Sequence, residues 1–311
     1  MAIPLSDLAA AGQQQPRPQA ATVQGTLASL VPQPPQLSQS GNPIEAAYFD
    51  RLANDYDSLK AEYAQITNEK GENTTKNGRL LNTDEARELS PEYRADRTKS
   101  ADVHEPSSAL VKQMYADKLS QPTPAGLDNT VVFTAGGTGA GKSTGLGVME
   151  NVNSGVRNAE IVYDTNMNTF DSADKKVKQA LDAGRKVSII YTYRHPVEAL
   201  EQGALTRASR MEAERGTGRT VPLDEHFKTH VGALETMKRL QEKYGDDHRF
   251  SMMVIDNSRG KGNARLVSGL DKLPKLNHTE VRKGLNDALE NAYRTGQISR
   301  AIYEGTRVNG R

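Results

Sequence analysis

The feature that most constrains the fold is a glycine-rich run that ends in a lysine and two hydroxyl residues. The run consists of Gly136, Gly137, Thr138, Gly139, Ala140, Gly141, Lys142, Ser143 and Thr144. It fits the pattern G-x-x-x-x-G-K-[ST], and the apolar segment Thr130–Thr134 precedes it. Glycines let backbone N–H groups turn inward around a phosphate, and a helix that begins there points its positive end at the same anion. The run therefore predicts a phosphate-binding loop between a buried strand and a helix.

Two side chains of this loop carry its chemistry. Lys142 is expected to reach the β- and γ-phosphates of a nucleotide, and the Ser143 hydroxyl is expected to ligate magnesium. The expected cofactors are therefore ATP or GTP together with Mg2+. A glycine-rich turn with only a structural role has no use for Lys142. The loop alone does not separate a kinase from a GTPase or a motor ATPase.

Strand-like and helical segments alternate beyond residue 101. The strand-like segments are Thr130–Thr134, Glu160–Tyr163, Lys186–Tyr193 and Phe250–Ile255. The helical patterns lie at Pro106–Leu119, near 142–152, 172–183, 196–213 and 223–244, and at Thr279–Thr295. Such alternation is typical of βαβ units. We therefore predict an α/β fold with a parallel sheet of the P-loop NTPase type and helices on both faces.

The composition changes along the chain and predicts three parts. Residues 1–43 hold 7 of the 14 prolines and many glutamines, and they are expected to form a disordered tail that is either a linker or an export or docking signal. Residues 44–100 are expected to form a helical N-terminal segment, whose apolar stripe from Ile44 to Ile66 packs on the main domain or on a partner. Within this segment, residues 67–100 are expected to form loops with one short helix near Asp84–Leu89. Residues 101–311 are expected to form the P-loop kinase domain.

Charge and residue usage exclude several classes of protein. The net charge is +1, which disfavours a generally cationic nucleic-acid binder. The chain has no cysteine, so thiolate nucleophiles, disulfides and cysteine-ligated zinc are excluded. No apolar run approaches the roughly 20 residues that span a bilayer, and no membrane partner is expected. The start lacks the features of a Sec signal peptide. The expected location is the cytoplasm, or a host cell reached by export as an effector.

Two aspartates end apolar runs and are candidates for the general base. Asp164 closes the run Ile161-Val162-Tyr163, and Asp256 closes a similar run later in the chain. An aspartate at the carboxyl end of a parallel strand lies at the ligand-binding edge of the sheet. Asp164 is the favoured base or water-mediated magnesium ligand, and the alternative is a strand-end carboxylate that caps a turn. For Asp256 a structural or base-binding role is favoured over catalysis.

An arginine-rich segment follows the strand that ends in Arg194-His195-Pro196. It carries Arg207, Arg210, Arg215 and Arg219, with glycines at 216 and 218. Fixed guanidinium groups stabilise the charge that phosphoryl transfer spreads over equatorial oxygens, and a glycine-flanked loop can close over a nucleotide. The alternative is a solvated helix in which neighbouring glutamates pair with the arginines.

A pair of histidines, His226 and His230, has the spacing of a metal pair. Because no third ligand is evident, surface or substrate-side positions are expected instead.

Residues 104–260 resemble the zeta-toxin-like P-loop kinases. The resemblance depends on FTAGGTGAGKST, on IVYDTN followed by AGRKVSIIYTYRHP, and on LTRASRMEAERGTGRTVP with His230 downstream. It implies a kinase that moves the γ-phosphate of ATP or GTP to a sugar hydroxyl. Members act on UDP-N-acetylglucosamine, and related effector kinases act on NAD.

The resemblance also implies roles for residues and partners. Lys142 and Ser143 match the nucleotide and magnesium positions, Asp164 is the nearest match to the catalytic aspartate, and Arg207 and Arg219 match the lid. The acceptor is expected to be a small metabolite, either a nucleotide-sugar or NAD-like. Because such kinases are often toxins, an antitoxin or a chaperone is the expected protein partner.

Two other functions are compatible with the loop. A nucleotide-switched ATPase or binding module would act on a protein partner and release only free phosphate. A polynucleotide kinase would use the basic stretch Arg259–Lys283 on a nucleic-acid end, and the near-zero net charge and few aromatic residues argue against it.

Overall fold

A computed structural model describes residues 41–260 and 263–307, so residues 1–40 of the predicted tail lie outside the described part. One sheet of six strands organises the chain. The strands are β1 Leu80–Asn82, β2 Asp128–Ala135, β3 Ala159–Asp164, β4 Lys186–Tyr193, β5 Phe250–Asp256 and β6 Arg265–Val267. Their order across the sheet is β1-β3-β2-β4-β5-β6, and only β6 runs antiparallel to its neighbour.

Helices fill the connections between these strands. Those before β2 are α1 Pro43–Asn54, α2 Tyr56–Ala64, α3 Thr83–Arg87, α4 Pro91–Ala95 and α5 His104–Ser120. Those between β2 and β5 are α6 Lys142–Val152, α7 Ser154–Arg157, α8 Phe170–Asp182, α9 Pro196–Ala199, α10 Thr206–Arg215 and α11 Leu223–Tyr244. The last two are α12 His278–Arg294 and α13 Arg300–Arg307. A π-helical stretch, Leu200–Leu205, joins α9 to α10.

Alternate residues of the central strand enter two different hydrophobic clusters. Val131 and Phe133 of β2 belong to the cluster that also contains residues of α5, α8 and α11. Val132, between them, belongs to the cluster formed with α6 and α7. Successive side chains of a strand point to opposite faces, so both faces of the sheet are covered by helices. The predicted α/β fold class is confirmed.

The N-terminal segment packs on the main core. Tyr48, Phe49 and Leu52 of α1 and Leu59 of α2 are buried in the same cluster as β2 and β3. The apolar stripe of this segment therefore covers the main domain, which is the first of the two options that the sequence leaves open.

A short strand in this segment departs from the expectation of loops over residues 67–100. β1 pairs in parallel with β3, with Asn82 opposite Asp164. Three residues are too few to show a periodic pattern, and this strand forms because the edge of β3 offers hydrogen-bonding partners. The helix expected after it is present as α3.

No helix within residues 41–260 and 263–307 is long and apolar enough to cross a membrane.

The hydroxyl of Tyr63 joins α2 to β1. It donates to the carbonyl of Leu80 at 2.9 Å and accepts from the N–H of Asn82 at 2.8 Å, and the side chain is fully buried. Tyr63→Phe leaves both backbone groups without this partner, so we expect a loss of about 1–3 kcal/mol in the free energy of unfolding, measured by urea titration. The matched control is Tyr293→Phe, because Tyr293 is 40% exposed and its change should cost under about 0.5 kcal/mol. Equal losses in both variants would contradict this role of Tyr63.

Candidate functional site

A polar cavity of about 360 Å³ lies where β1 and β3 end, beside the glycine-rich loop. Its lining comes from the N-terminal segment, the loop, the region after β3 and the arginine-rich segment. The lining residues are Asn82, Thr83, Asp84, Arg87, His104, Ser108, Lys112, Thr138, Gly139, Lys142, Tyr163, Asp164, Thr165, Asn166, Asn168, Ser172, Lys176, Arg207, Arg219 and Thr229. Lys142, Asp164, Arg207 and Arg219, which are far apart in sequence, therefore share one cavity.

The glycine-rich loop has the backbone that its sequence predicts. Gly136, Gly139 and Gly141 have φ values of 138°, 76° and 92°, which side-chain-bearing residues rarely adopt. A Cβ on Gly139 would also lie 2.3 Å from the carbonyl oxygen of Ala199. Helix α6 begins at Lys142, directly after the loop, so its positive end faces the space that the loop encloses.

Two residues outside the glycine-rich loop hydrogen-bond to its backbone carbonyl groups. The side-chain amide of Asn257, which follows β5, donates to the carbonyl of Ala140 at 2.8 Å. The ring of His230 packs on Gly137, and its Nε2–H donates to the carbonyl of Thr138 at 2.9 Å. The loop is therefore held in shape before any ligand binds, which lowers the entropic cost of binding.

The expectation of surface or substrate-side histidines is wrong, because His226 and His230 are both buried. His226 donates from Nε2 to the carbonyl of Pro196 at 2.8 Å. Burial lowers the pKa of His226 to about 4, and burial together with His226 lowers the pKa of His230 well below its ordinary value. The lowered pKa values favour neutral rings; His230 supports the loop, and the ring of His226 lies 4.6 Å from that of His230 between centroids. No group of three or more His, Asp or Glu residues with metal-binding geometry occurs in the described part of the chain.

The ammonium group of Lys142 points into the cavity. Its Nζ donates to Oδ1 of Asn166 at 2.7 Å. Burial lowers the pKa of Lys142, while Asp164 and Asp84 oppose that shift by favouring the charged form. Asn166 thus holds the ammonium group of Lys142 within the cavity.

Asp164 ends β3 with both carboxylate oxygens hydrogen-bonded. Thr134 of β2 donates its hydroxyl to Oδ1, and Asn82 of β1 donates from Nδ2 to Oδ2 at 2.9 Å. Each oxygen keeps a free lone pair, because a carboxylate accepts about four hydrogen bonds. The carboxylate is fixed in orientation and can still accept a proton or bind a hydrated cation.

The structure separates Asp256 from this site. Asp256 is absent from the cavity lining, its Oδ2 pairs with Arg265 at 3.0 Å, and its Oδ1 accepts from the N–H of Ser258 at 3.0 Å. The carboxylate therefore stabilises the β5–β6 edge of the sheet.

Of the four arginines in the predicted lid, two reach the cavity. Arg219 pairs with Asp84 at 2.5 Å, and Arg207 lies beside it with no hydrogen-bond partner for its buried Nε among the described residues. Arg210 instead pairs with Glu214 at 3.8 Å, and Arg215 pairs with Glu69 at 3.0 Å, both outside the cavity.

Asp84 carries two cationic partners. Arg219 and Arg87 lie at 2.5 and 3.1 Å from its oxygens. Burial opposes ionisation, but these two guanidinium groups hold the pKa of Asp84 well below its ordinary value. The aspartate is ionised at neutral pH and neutralises part of the cationic cavity.

Ser143 occupies the first turn of α6 and is exposed. Its hydroxyl has no hydrogen-bond partner within the described residues and does not line the cavity. An unpartnered hydroxyl oxygen beside a phosphate-binding loop suits magnesium, which prefers oxygen ligands and keeps most of its waters. The residues present therefore fit a magnesium–nucleotide complex, in which Ser143 could supply a protein ligand.

Several lining residues could not be inferred from sequence. Asn82, Asp84 and Arg87 belong to a segment that reads as polar loops, and Lys112 and Lys176 read as ordinary solvated helix residues. One pattern in the sequence could have pointed to the cavity residues of α5, because His104, Ser108 and Lys112 recur every four positions. That spacing marks one face of a helix, but it does not show what the face meets.

A family model described as Zeta toxin matches residues 156–263. The matched region contains Asp164, Arg207 and Arg219, and the glycine-rich loop lies just before it. This finding confirms the resemblance to zeta toxins over that region. No curated protein matches the chain.

Among solved structures, one match is to a protein from the PezAT chromosomal toxin–antitoxin system of the human pathogen Streptococcus pneumoniae. The two are 13% identical, the match covers 56% of this chain and 93% of that chain, and the TM-score is 0.36.

The position of Lys142 predicts a loss of nucleotide binding on its removal. We expect Lys142→Ala to weaken the binding of Mg2+–ATP by about tenfold or more, because a charged hydrogen bond contributes about 1.5–3 kcal/mol. Isothermal titration calorimetry measures the change, and the melting temperature should stay within a few degrees. Lys238→Ala is the control, since Lys238 pairs with Glu235 on the exposed face of α11. Unchanged affinity in Lys142→Ala would contradict the assignment of the loop.

Proposed function

We propose that this chain is a phosphotransferase that moves the γ-phosphate of ATP or GTP to a hydroxyl group of a small metabolite. The observation that carries the proposal is the charge of the cavity. Six Lys and Arg side chains and two Asp side chains line it, although the net charge of the whole chain is only +1. Such a concentration of cations is costly without an anionic ligand.

Donor binding is assigned to the loop and to α6. Backbone N–H groups of the loop and the ammonium of Lys142 hold the β- and γ-phosphates, and Ser143 ligates the magnesium ion. When bound, that ion neutralises charge on the phosphates. Asn166, which holds Nζ of Lys142 at 2.7 Å, aligns the lysine for this contact.

Asp164 is assigned as the general base. In this proposal the acceptor oxygen attacks the γ-phosphorus, its proton passes to Asp164, and the bond to the β-phosphate oxygen breaks to release the nucleoside diphosphate. Asn82 and Thr134 hold the carboxylate in one orientation, which supports a positioned base over a freely rotating one.

Arg207 and Arg219 are assigned to the transferring phosphoryl group. Its equatorial oxygens carry the charge of the transition state, and guanidinium groups bind such oxygens through paired N–H donors. The buried Nε of Arg207 has no partner among the described residues, so a donor is free for this contact.

The match to the zeta toxin family supports a toxin or effector role. The acceptor is then a nucleotide-sugar or an NAD-like molecule. An antitoxin or a chaperone would restrain the activity in the cytoplasm of the producing cell or before export.

One experiment tests the proposed reaction directly. The purified chain is incubated with Mg2+ and ATP labelled in the γ-phosphate, together with a metabolite extract, and the labelled products are separated and identified. We expect a labelled metabolite that is absent with Lys142→Ala. Labelled free phosphate as the sole product would contradict a kinase and favour an ATPase module.

The role of Asp164 predicts a loss of chemistry without a loss of nucleotide binding. Asp164→Asn keeps an oxygen for the Thr134 hydroxyl but cannot take a proton, so we expect phosphotransfer to fall by about a hundredfold or more. The affinity for Mg2+–ATP should change little. Asp256→Asn is the matched control and should retain transfer. Loss of transfer in Asp256→Asn but not in Asp164→Asn would indicate that Asp256 is the base.

The arginine assignment predicts a split between kcat and nucleotide affinity. Arg207→Ala and Arg219→Ala should each lower kcat by about tenfold or more and weaken ground-state ATP binding less, because the contact strengthens in the transition state. Arg210→Ala is the control, since Arg210 is exposed and pairs with Glu214. If both cavity variants only weaken ATP binding, the two arginines act in docking alone.

A further inference from the structure

Two helices line the cavity with polar stripes. His104, Ser108 and Lys112 of α5 are four residues apart, and Ser172 and Lys176 of α8 are also four apart. Residues at this spacing share one helix face. The two stripes therefore line one shared space, the groove between α5 and α8, which is part of the cavity.

Direct contacts between α5 and α8 fix the width of this groove. The hydroxyl of Tyr115 on α5 donates to the carbonyl of Lys176 at 2.9 Å. The ring of Tyr115 also meets the ring of Tyr163, which lines the cavity, edge-on at a centroid distance of 5.2 Å. Because Tyr115 is buried, the two walls are held together by the core and not by the groove itself.

The two lysines of this groove lack carboxylate partners, unlike several other lysines of the described chain. Lys178 and Lys243 pair with Asp182 and Asp174, whereas neither Lys112 nor Lys176 has a carboxylate partner among the described residues. The Nζ of Lys176 donates instead to the hydroxyl of Ser172 at 2.7 Å.

The charge of Lys112 acts on Lys176 across the groove. Burial, followed by the charges of Lys112 and Lys175, lowers the pKa of Lys176 to about 8. Holding these cations together costs free energy, and a bound anion would recover it.

We propose that the groove between α5 and α8 is a second phosphate subsite, in which Lys112, Lys176, Ser108 and Ser172 bind a phosphate group of the acceptor. The inference rests on the proposed function, since it takes the Lys142 end of the cavity for the donor phosphates. It assigns the acceptor a phosphate of its own, separate from the hydroxyl that is phosphorylated. Two of the four residues come from α5, outside the residues that match the zeta toxin model.

Binding measurements test the subsite without requiring catalysis. The full chain is first saturated with Mg2+ and a non-hydrolysable ATP analogue, which fills the donor site. Ribose 5-phosphate, ADP-ribose and plain ribose are then titrated separately by calorimetry. We expect saturable binding of at least one phosphorylated probe and about tenfold weaker binding of plain ribose or none.

Three variants locate the binding. Lys112→Gln and Lys176→Gln should each weaken the binding of the phosphorylated probe by about tenfold. The affinity for the ATP analogue should stay unchanged. Lys178→Gln, on the same helix as Lys176 but paired with Asp182, should bind both ligands as the unmodified chain does. Stronger binding of ribose 5-phosphate identifies a phosphomonoester acceptor, and stronger binding of ADP-ribose identifies a diphosphate.

Two results would overturn the subsite. One is that neither phosphorylated probe binds the saturated chain, and the other is that the Lys112 and Lys176 variants bind the probes as tightly as Lys178→Gln. These results are distinct from a failure of the proposed function, which would appear as probe binding at the groove without any Lys142-dependent transfer of labelled phosphate.

Discussion

The pairing of β1 with β3 is the interaction on which the site depends. This parallel register sets Asn82 opposite Asp164 and places Asp84, two residues later, beside Arg219. The contact of Asn82 with Asp164 would be lost if β1 moved by one residue, because a one-residue shift turns every side chain of a strand to the other face. A strand of three residues thus determines how the carboxylate of β3 and a guanidinium of the arginine-rich segment are held.

Such a short strand is stable only because other parts of the chain hold it. The hydroxyl of Tyr63 bonds to both ends of β1, and Leu81 is fully buried between α5 and the sheet core. Burial of the apolar stripe of α1 and α2 contributes about 25 cal/mol to the free energy of folding for each Å² of apolar surface removed from water. This burial holds the two helices, and with them β1, on the main core. The N-terminal segment is therefore part of the structure that forms the cavity.

Sequence reasoning was most successful where structure is determined locally. The glycine-rich loop, the strand before it and the helix after it follow from backbone conformations that glycine alone favours, so Gly136, Gly139 and Gly141 could be placed without a structure. The β1 strand, Asn82 and Asp84 could not be placed, because contacts between distant parts of the chain determine them. The prediction for the two histidines was wrong for the same reason. The spacing of His226 and His230 places them on one helix face, but only the fold shows that this face is buried.

The balance of charge in the cavity follows from these distant contacts. Asp84 offsets the charges of Arg219 and Arg87, while Arg207, Lys112 and Lys176 keep no carboxylate partner among the described residues. A fully compensated cavity would have little affinity for phosphates, and a fully uncompensated one would strain the fold, because buried like charges repel. Partial compensation by one aspartate from the N-terminal segment fixes the arginine geometry and leaves the remaining cations for anionic ligands. The segment that precedes the glycine-rich loop is thus the part of the chain that sets the charge balance of the cavity.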